Sequence, residues 1–128
     1  MKEKILFVNS CVRGDNESRT LALAKTALNR LDGDIEEIRL ADANLKPLDA
    51  AGLAKRAESA EKNDFSDPVY DCAKQFAACD TVVVAAPFWD YSFPAFLKIY
   101  IESLCVGGLT FLYGSDGVPI SYCRAKRL

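Results

Sequence analysis

Apolar and polar positions alternate along the chain in blocks that predict a strand, a loop and a helix at its start. The continuous apolar run over residues 4–9 is typical of a strand buried on both faces, and the polar loop 10–18 follows it. Four apolar residues then recur at helical spacing, namely Leu21, Ala24, Leu28 and Leu31. Ser18 is expected to cap this helix at its N-terminus and Gly33 at its C-terminus.

The middle of the chain predicts an edge strand and two helices. Residues 34–40 mix apolar and charged positions, as a strand with one exposed side does. A charged, alanine-rich stretch from about Ala50 to Lys62 is typical of a short surface helix. Asp67 and Pro68 have the residue types of an N-cap and a first helical position, which predicts a helix from there to Cys79.

The second half repeats the strand, loop and helix order. Thr81–Ala86 predicts another fully buried strand, followed by the loop 87–92. A helix with Ser92 as its cap is expected next, with three inward residues at Leu97, Ile101 and Leu104. Residues 110–113 and 118–122, on either side of a turn with two glycines, predict a small β-hairpin.

Strands that alternate with helices predict the α/β class, with a doubly wound parallel sheet covered by helices on both faces. At 128 residues the chain is expected to form one domain, 1–128. In the strand order 2-1-3 the loops after the first and third strands meet at the carboxyl edge of the sheet, where such folds bind ligands. We therefore place the candidate site in loops 10–18 and 87–92.

Composition and charge argue against several classes of function. The formal net charge of −2 and the pI near 5.1 give no basic surface for nucleic acid or an anionic membrane. No apolar run approaches the roughly twenty residues of a membrane span, and the five scattered cysteines fit reduced thiols, so a cytoplasmic location is expected. The absence of histidine excludes mechanisms and metal sites that need one, and no metal site is expected.

The first loop has the residue types of a phosphate site. Ser10, Asn16 and Ser18 precede a predicted helix N-terminus, where free backbone N–H groups attract an anion. The loop has neither the Gly-x-Gly-x-x-Gly pattern of dinucleotide sites nor a Walker motif, which favours a single phosphomonoester. The alternative is that Asn16 and Ser18 only cap the helix.

The second loop is rich in aromatic residues. Phe88, Trp89, Tyr91 and Phe93 lie together after the predicted third strand, between Pro87 and Pro94. A flat aromatic ligand could stack there, although the same residues could instead belong to the core or to an interface.

Three segments together resemble the flavodoxin-like NAD(P)H-dependent oxidoreductases, of the FMN-dependent NADH-azoreductase and quinone-reductase type. They are Asn9–Arg13 with Ser18–Leu21, then Ala85–Lys98 with its Phe-Pro-Ala-Phe-Leu-Lys sequence, and finally Gly108–Tyr113. The resemblance extends over the whole chain. It implies a flavodoxin-like fold and a homodimer whose active sites are completed between subunits.

The resemblance also implies a cofactor, FMN, and a reaction with NADH or NADPH as electron donor. Hydride would pass to the flavin and electrons then to a small-molecule acceptor, a quinone, azo or nitro compound, with no catalytic side chain required. The cofactor-binding residues would be, for the phosphate, Ser10, Asn16, Glu17 and Ser18, and for the ring, Pro87, Phe88, Trp89, Asp90 and Tyr91.

Two departures from the family pattern qualify this expectation. Azoreductases commonly have Asn where this chain has Asp90, and a carboxylate there opposes negative charge on the flavin. Family chains also continue beyond the segment matched by residues 123–128, so we expect a C-terminal truncation without the fourth and fifth strands. The open edge of the third strand is then expected to be covered in a dimer or swapped assembly, with weakened FMN binding.

Three alternatives share this fold. They are a flavin-binding electron carrier, a catalytically silent remnant of the family, and a receiver-like signalling domain. A carrier is typically more acidic than this chain. A receiver needs acidic residues after the first strand and an aspartate after the third, where this chain has Asn9-Ser10 and Pro87-Phe88.

Overall fold

The computed structural model describes residues 2–128. Its strands and helices are, in chain order, β1 (Glu3–Asn9), α1 (Arg19–Leu28), β2 (Gly33–Arg39), α2 (Ala50–Lys62), α3 (Asp71–Ala78), β3 (Thr81–Ala85), α4 (Ala95–Leu104), β4 (Phe111–Tyr113) and β5 (Pro119–Ser121). Two 3₁₀ turns, Leu40–Asp42 and Pro68–Tyr70, precede α2 and α3. The predicted surface helix over 50–62 is confirmed as α2.

A three-stranded parallel sheet in the order β2-β1-β3 forms the centre of the fold. Ile5 of β1 lies opposite Ile35 on one side and Thr81 on the other. Strands β4 and β5 form a separate antiparallel hairpin. The predicted α/β class, the order 2-1-3 and the hairpin are therefore confirmed.

Strand β1 is buried on both faces, as its unbroken apolar run predicts. Ile5 and Phe7 pack against α1, while Leu6 and Val8 pack against α3 and α4. This alternation follows from the two-residue period of a strand, which sends successive side chains to opposite faces. Two helical layers therefore enclose the sheet.

Gly33 does not cap α1, contrary to the sequence prediction. The helix ends at Leu28 with Asn29 as its C-cap, and Gly33 is the first residue of β2. A Cβ atom at position 33 would lie 2.5 Å from the carbonyl oxygen of Glu3 and 2.7 Å from Cδ1 of Ile5. Glycine is needed at position 33 because β2 starts in close contact with β1.

The inward face of α4 also differs from the prediction. Leu97, Tyr100 and Leu104 are its buried residues, whereas Ile101 stays partly exposed. Both sets have helical spacing, so the sequence pattern alone does not choose between Tyr100 and Ile101.

The C-terminal segment runs along the start of β3, an arrangement not predicted from the sequence. Arg124 N donates to Ala77 O at 3.1 Å, Lys126 N to Asp80 O at 3.2 Å, and Val82 N to Arg127 O at 3.1 Å. Thr81 and Arg127 form a parallel bridge. Residues 124–127 therefore begin a further parallel alignment on the outer side of β3.

Candidate functional site

A buried pair of hydrogen bonds joins the first candidate loop to the end of β3, where the second begins, at the carboxyl edge of the sheet. The backbone N–H and the side-chain hydroxyl of Ser10 both donate to the carbonyl oxygen of Ala85, at 3.0 and 2.7 Å. Ser10 begins the first loop, and Ala85 ends β3 two residues before the second. The predicted meeting of the two loops is confirmed. Ser10 itself is buried, and its hydroxyl proton already has an acceptor.

Asn9, which is not among the site residues predicted from the sequence, shapes the start of the first loop. Its side chain is fully buried; Oδ1 accepts a hydrogen bond from Cys11 N at 3.0 Å, and Nδ2 donates to Glu37 Oε1 at 3.3 Å. A polar residue at the carboxyl end of an otherwise apolar strand is the signal that could have identified it. Asn9 therefore fixes the start of the loop between β1 and α1 and ties it to β2.

Ser18 caps α1, as predicted. Its hydroxyl oxygen accepts a hydrogen bond from Leu21 N at 3.1 Å. The N–H groups of Arg19 and Thr20 come first in the helix and have no intrahelical acceptor. Capping uses one acceptor site of the Ser18 oxygen and leaves its proton free to donate, so the cap and an anion site are compatible. Asn16 and Glu17 lie exposed just before the cap.

The first loop carries both signs of charge. Asp15 forms ion pairs with Lys25 and with Arg39 of β2, each at 3.0 Å, and Lys25 is the main cause that lowers the pKa of this carboxyl below its ordinary value. Arg13 and Arg19 are exposed, and neither forms an ion pair within residues 2–128. The charge of Asp15 is therefore balanced locally, while two arginines remain available to an anion.

A tight turn presents the second loop. Trp89 and Ser92 exchange backbone hydrogen bonds at 2.9 and 2.7 Å, and the two residues between them, Asp90 and Tyr91, have φ angles of 50° and 61°. Two successive positive φ values define a type I′ turn, which normally takes Asn-Gly or a similar pair. A bulky residue such as Tyr91 is strained there by about 1–3 kcal/mol.

Ser92 belongs to this turn and does not cap α4, so the sequence prediction for Ser92 is wrong. The N-cap of α4 is Pro94, with no side-chain hydrogen bond to the helix. The turn residues hold Ser92 in backbone pairing with Trp89, which keeps it away from the helix N-terminus.

The aromatic side chains of the second loop face solvent. Phe88 is 76% exposed, Trp89 41% and Tyr91 95%. The rings of Phe88 and Tyr91 meet edge to face, with centroids 6.2 Å apart. These residues are therefore not part of the core, which leaves a stacked ligand or an interface as their function.

The candidate site is an open edge of the molecule. The two larger grooves that the structure shows lie elsewhere: one of about 480 Å³ lies under the 43–49 loop and α2, and one of about 610 Å³ lies beside α4. Neither is lined by residues of loops 10–18 or 87–92. A ligand at this edge would keep one side toward solvent unless another surface covers it.

Comparison with known proteins identifies the family. A family model described as the flavodoxin-like fold matches residues 3–127. The chain belongs to the flavodoxin-like fold family. An FMN-dependent NADH:quinone oxidoreductase of Clostridium perfringens is 30% identical over 129 residues, which cover 97% of this chain and 65% of the relative. FMN-dependent NADH:quinone oxidoreductase 2 of Clostridium acetobutylicum is 34% identical over 139 residues, with 97% and 64% covered.

A solved structure agrees with this membership of the flavodoxin-like family. The crystal structure of an azoreductase from Bacillus anthracis has a TM-score of 0.70 and 25% identity, and the match covers 92% of this chain and 62% of that one. The chain spans about 65% of the length of the curated relatives it matches.

Within this flavodoxin-like chain the structure brings most of the predicted site residues to one edge. Ser10, Ser18 and the 87–91 segment lie at the carboxyl ends of β1 and β3. Searched over residues 2–128, the structure contains no cluster of three or more Cys, Asp or Glu residues placed to hold a metal ion. In the same range, no helix combines the length and the apolar character needed to cross a membrane.

Proposed function

We propose that this chain binds FMN at the carboxyl edge of its sheet and serves electron transfer from NADH or NADPH to a small quinone, azo or nitro compound. One observation carries the proposal: the N-terminus of α1 and the exposed aromatic turn meet at one edge, joined by the Ser10–Ala85 hydrogen bonds. The former offers donors for a phosphate, and the latter offers flat apolar surface for a ring.

The donor set in the first loop fits a phosphomonoester. The free N–H groups of Arg19 and Thr20, the Ser18 hydroxyl and the Asn16 amide are all donors near one helix end. Ser10 would contribute chiefly by holding the loop, since its own proton is donated to Ala85. The carboxylate of Glu17 has no donor to offer and its backbone N–H already donates to Gly14 O, so its side chain would have to face solvent, where it already lies.

The aromatic turn fits one face of a flavin ring. Pro87 and the type I′ turn restrict the backbone, while Phe88, Trp89 and Tyr91 present exposed aromatic surface. The Asp90 side chain is exposed, so water and salt screen its charge. The substitution relative to the usual asparagine is therefore compatible with a flavin nearby.

Bound FMN would supply the hydride and electron chemistry, and the protein would supply position and surroundings. The relatives named above, which are called FMN-dependent NADH:quinone oxidoreductases, support this assignment.

Anaerobic reconstitution tests the proposal. The chain is loaded with FMN, desalted and followed by visible absorption while NADH or NADPH is added, and then a quinone. We expect retained flavin bands, loss of their intensity with the nicotinamide, and recovery with the quinone. Retained bands that neither nicotinamide reduces would indicate an electron carrier, and a chain that keeps no flavin would contradict the proposal.

We also propose that the protein forms a homodimer, and the β4–β5 hairpin is the surface that supports it. Five apolar side chains of this hairpin region are exposed, namely Leu112, Tyr113, Val118, Ile120 and Tyr122. A patch of this kind is typical of an association surface. Light scattering at several protein concentrations should give twice the 14.1 kDa chain mass, and Ile120→Asp should return the monomer.

A further inference from the structure

One side chain ties the exposed part of the first loop to the rest of the chain. Residues 12–17 all lie exposed, and within residues 2–128 only Asp15 among them forms a side-chain hydrogen bond or an ion pair. Asp15 Oδ2 lies 3.0 Å from Lys25 Nζ, and Asp15 Oδ1 lies 3.0 Å from Arg39 Nη2. Each carboxylate oxygen therefore has a cation of its own.

The two cations that hold Asp15 belong to different elements of the fold. Lys25 lies in the second half of α1. Arg39 is the last residue of β2 and lies opposite Asn9 in the parallel register. Asp15 thus joins the loop to the helix that follows it and to the edge strand of the sheet.

Apolar packing does not join α1 to β2 on this face of the sheet. Ile5 and Ile35 lie opposite each other in register, so their side chains share one face, yet Ile5 is 1% exposed and Ile35 is 46% exposed. Helix α1 packs on β1 and on the end of β3 and leaves this face of β2 open. The ion pairs of Asp15 therefore bridge α1 and β2 where apolar side chains do not.

Asp15 lies within the turn that leads into the cap of α1. Gly14 O accepts hydrogen bonds from Glu17 N at 3.0 Å and from Ser18 N at 3.2 Å, which closes the turn around Asp15. The Asn16 amide and the Ser18 hydroxyl, two of the donors proposed for the phosphate, follow Asp15 within three residues. Holding the Asp15 side chain therefore restricts where those donors can point.

We propose that Asp15, held by Lys25 and Arg39, is a positioning residue that keeps the first loop in its phosphate-binding shape before the ligand arrives. A preformed loop binds more tightly because it loses less conformational freedom on binding. A carboxylate in an anion-binding loop also repels the anion, and the two cations offset that repulsion. This role of Asp15 rests on the proposed function, because it acts on the proposed FMN phosphate site.

Asp15→Asn separates positioning from simple charge repulsion, because the two predict opposite changes in FMN affinity. If Asp15 only adds negative charge near the phosphate, the neutral variant should bind FMN more tightly. If Asp15 positions the loop, the variant should bind about fivefold more weakly, a modest loss because exposed ion pairs are individually weak. Asp32→Asn is the matched control and should bind like wild type, since Asp32 is also exposed and forms no ion pair within the described chain.

Riboflavin and a second variant show where the effect acts. Riboflavin has the same ring and no phosphate, so Asp15→Asn should leave its affinity unchanged. Arg39→Gln should weaken FMN binding as well, because it removes one of the two cations that hold Asp15. The double variant should bind FMN no more weakly than Asp15→Asn alone, because both changes break the same tie and their effects are not additive.

Hydrogen exchange of the Glu17 and Ser18 amides in the full, flavin-free chain gives a readout that needs no ligand. Both amides donate to Gly14 O, so their exchange reports how often the turn opens. We expect Asp15→Asn to speed exchange at these two amides at least about threefold and to leave exchange in β1 unchanged. Asp32→Asn should change neither.

Three results would overturn the positioning role while the proposed FMN site stands. They are FMN binding by Asp15→Asn that equals or exceeds that of wild type, an equal loss of riboflavin and FMN, and turn amides that exchange as in wild type. A wild-type chain that binds no FMN is a different outcome, because it overturns the proposed function itself, and the positioning role with it, before any variant is compared.

Discussion

Replacing Ser18 by Asp should weaken FMN binding about tenfold or more and leave the fold as stable as before. Ser18 Oγ lies 3.1 Å from Leu21 N and caps α1. Aspartate caps helices as well as serine does, and its charge suits the positive end of the helix dipole. The same carboxylate would repel a phosphate that uses the neighbouring amides. Stability and affinity should therefore respond differently to one substitution.

The expected loss follows from Coulomb's law. Two unit charges about 4 Å apart repel by about 1 kcal/mol in water and about 4 kcal/mol near a protein surface. Ser18 is half-buried, which places the site between these limits. A penalty of about 1.4 kcal/mol already corresponds to a tenfold weaker Kd. Because the interaction is electrostatic, raising the salt concentration should reduce the difference between variant and wild type.

Ser18→Asn is the matched control, since asparagine also caps helices and carries no charge. FMN affinity is measured by flavin fluorescence titration, and stability by urea unfolding followed by far-ultraviolet circular dichroism. We expect Ser18→Asn to bind FMN within about threefold of wild type and both variants to unfold within about 0.5 kcal/mol of it. An Asp variant that binds like wild type, or an Asn variant that loses as much as Asp, would refute the reasoning.

Three further substitutions probe strain, burial and charge. Tyr91→Gly should raise the free energy of unfolding by about 0.5–1 kcal/mol, because glycine adopts the positive φ of 61° without strain. The same change should weaken FMN binding, because it removes an aromatic surface. A variant that is less stable in urea unfolding would contradict this. Tyr100→Phe should leave unfolding unchanged or stabilise it by about 1 kcal/mol, since its hydroxyl has no partner, and a clear loss would reveal a hydrogen bond. The hydrogen bond from Lys4 N, with Arg124 nearby, lowers the pKa of the Asp80 carboxyl. The stability that the ionised Asp80 adds to the fold is therefore present at neutral pH and is lost as the pH falls below about 4. Asp80→Asn should destabilise the protein near pH 7 and have little effect near pH 2.

The sheet could be predicted from sequence because its evidence is local and redundant. The apolar runs at 4–9 and 81–86 each mark a buried strand, and the helices between them restrict the connections to right-handed crossovers. The Ser18 cap was predictable for the same reason, since a capping residue acts within its own turn.

The differences arose where one residue type serves two physical roles. Gly33 was interpreted as a helix cap, but its missing Cβ is required by contact with β1, which no local pattern reveals. The turn at Asp90 and Tyr91 lacks the glycine that marks a type I′ turn, so Ser92 was assigned to the following helix.

The site could be predicted only as two loops. Their meeting follows from the strand order, but the contacts that hold them, Ser10 to Ala85 and Asn9 to Glu37, join residues far apart in the chain. The exposure of Phe88 and Tyr91 could not be predicted either, because it depends on whether distant elements of the fold pack against these rings.

Emission from Trp89, the single tryptophan of the chain, most directly tests whether the two loops form one flavin site. The protein is titrated with FMN and, separately, with riboflavin, which has the same ring and no phosphate. We expect saturable quenching by FMN, with riboflavin binding at least about tenfold more weakly because it lacks a charge-assisted contact at Ser18. Emission that does not respond to saturating FMN, or equal affinity for the two flavins, would contradict it.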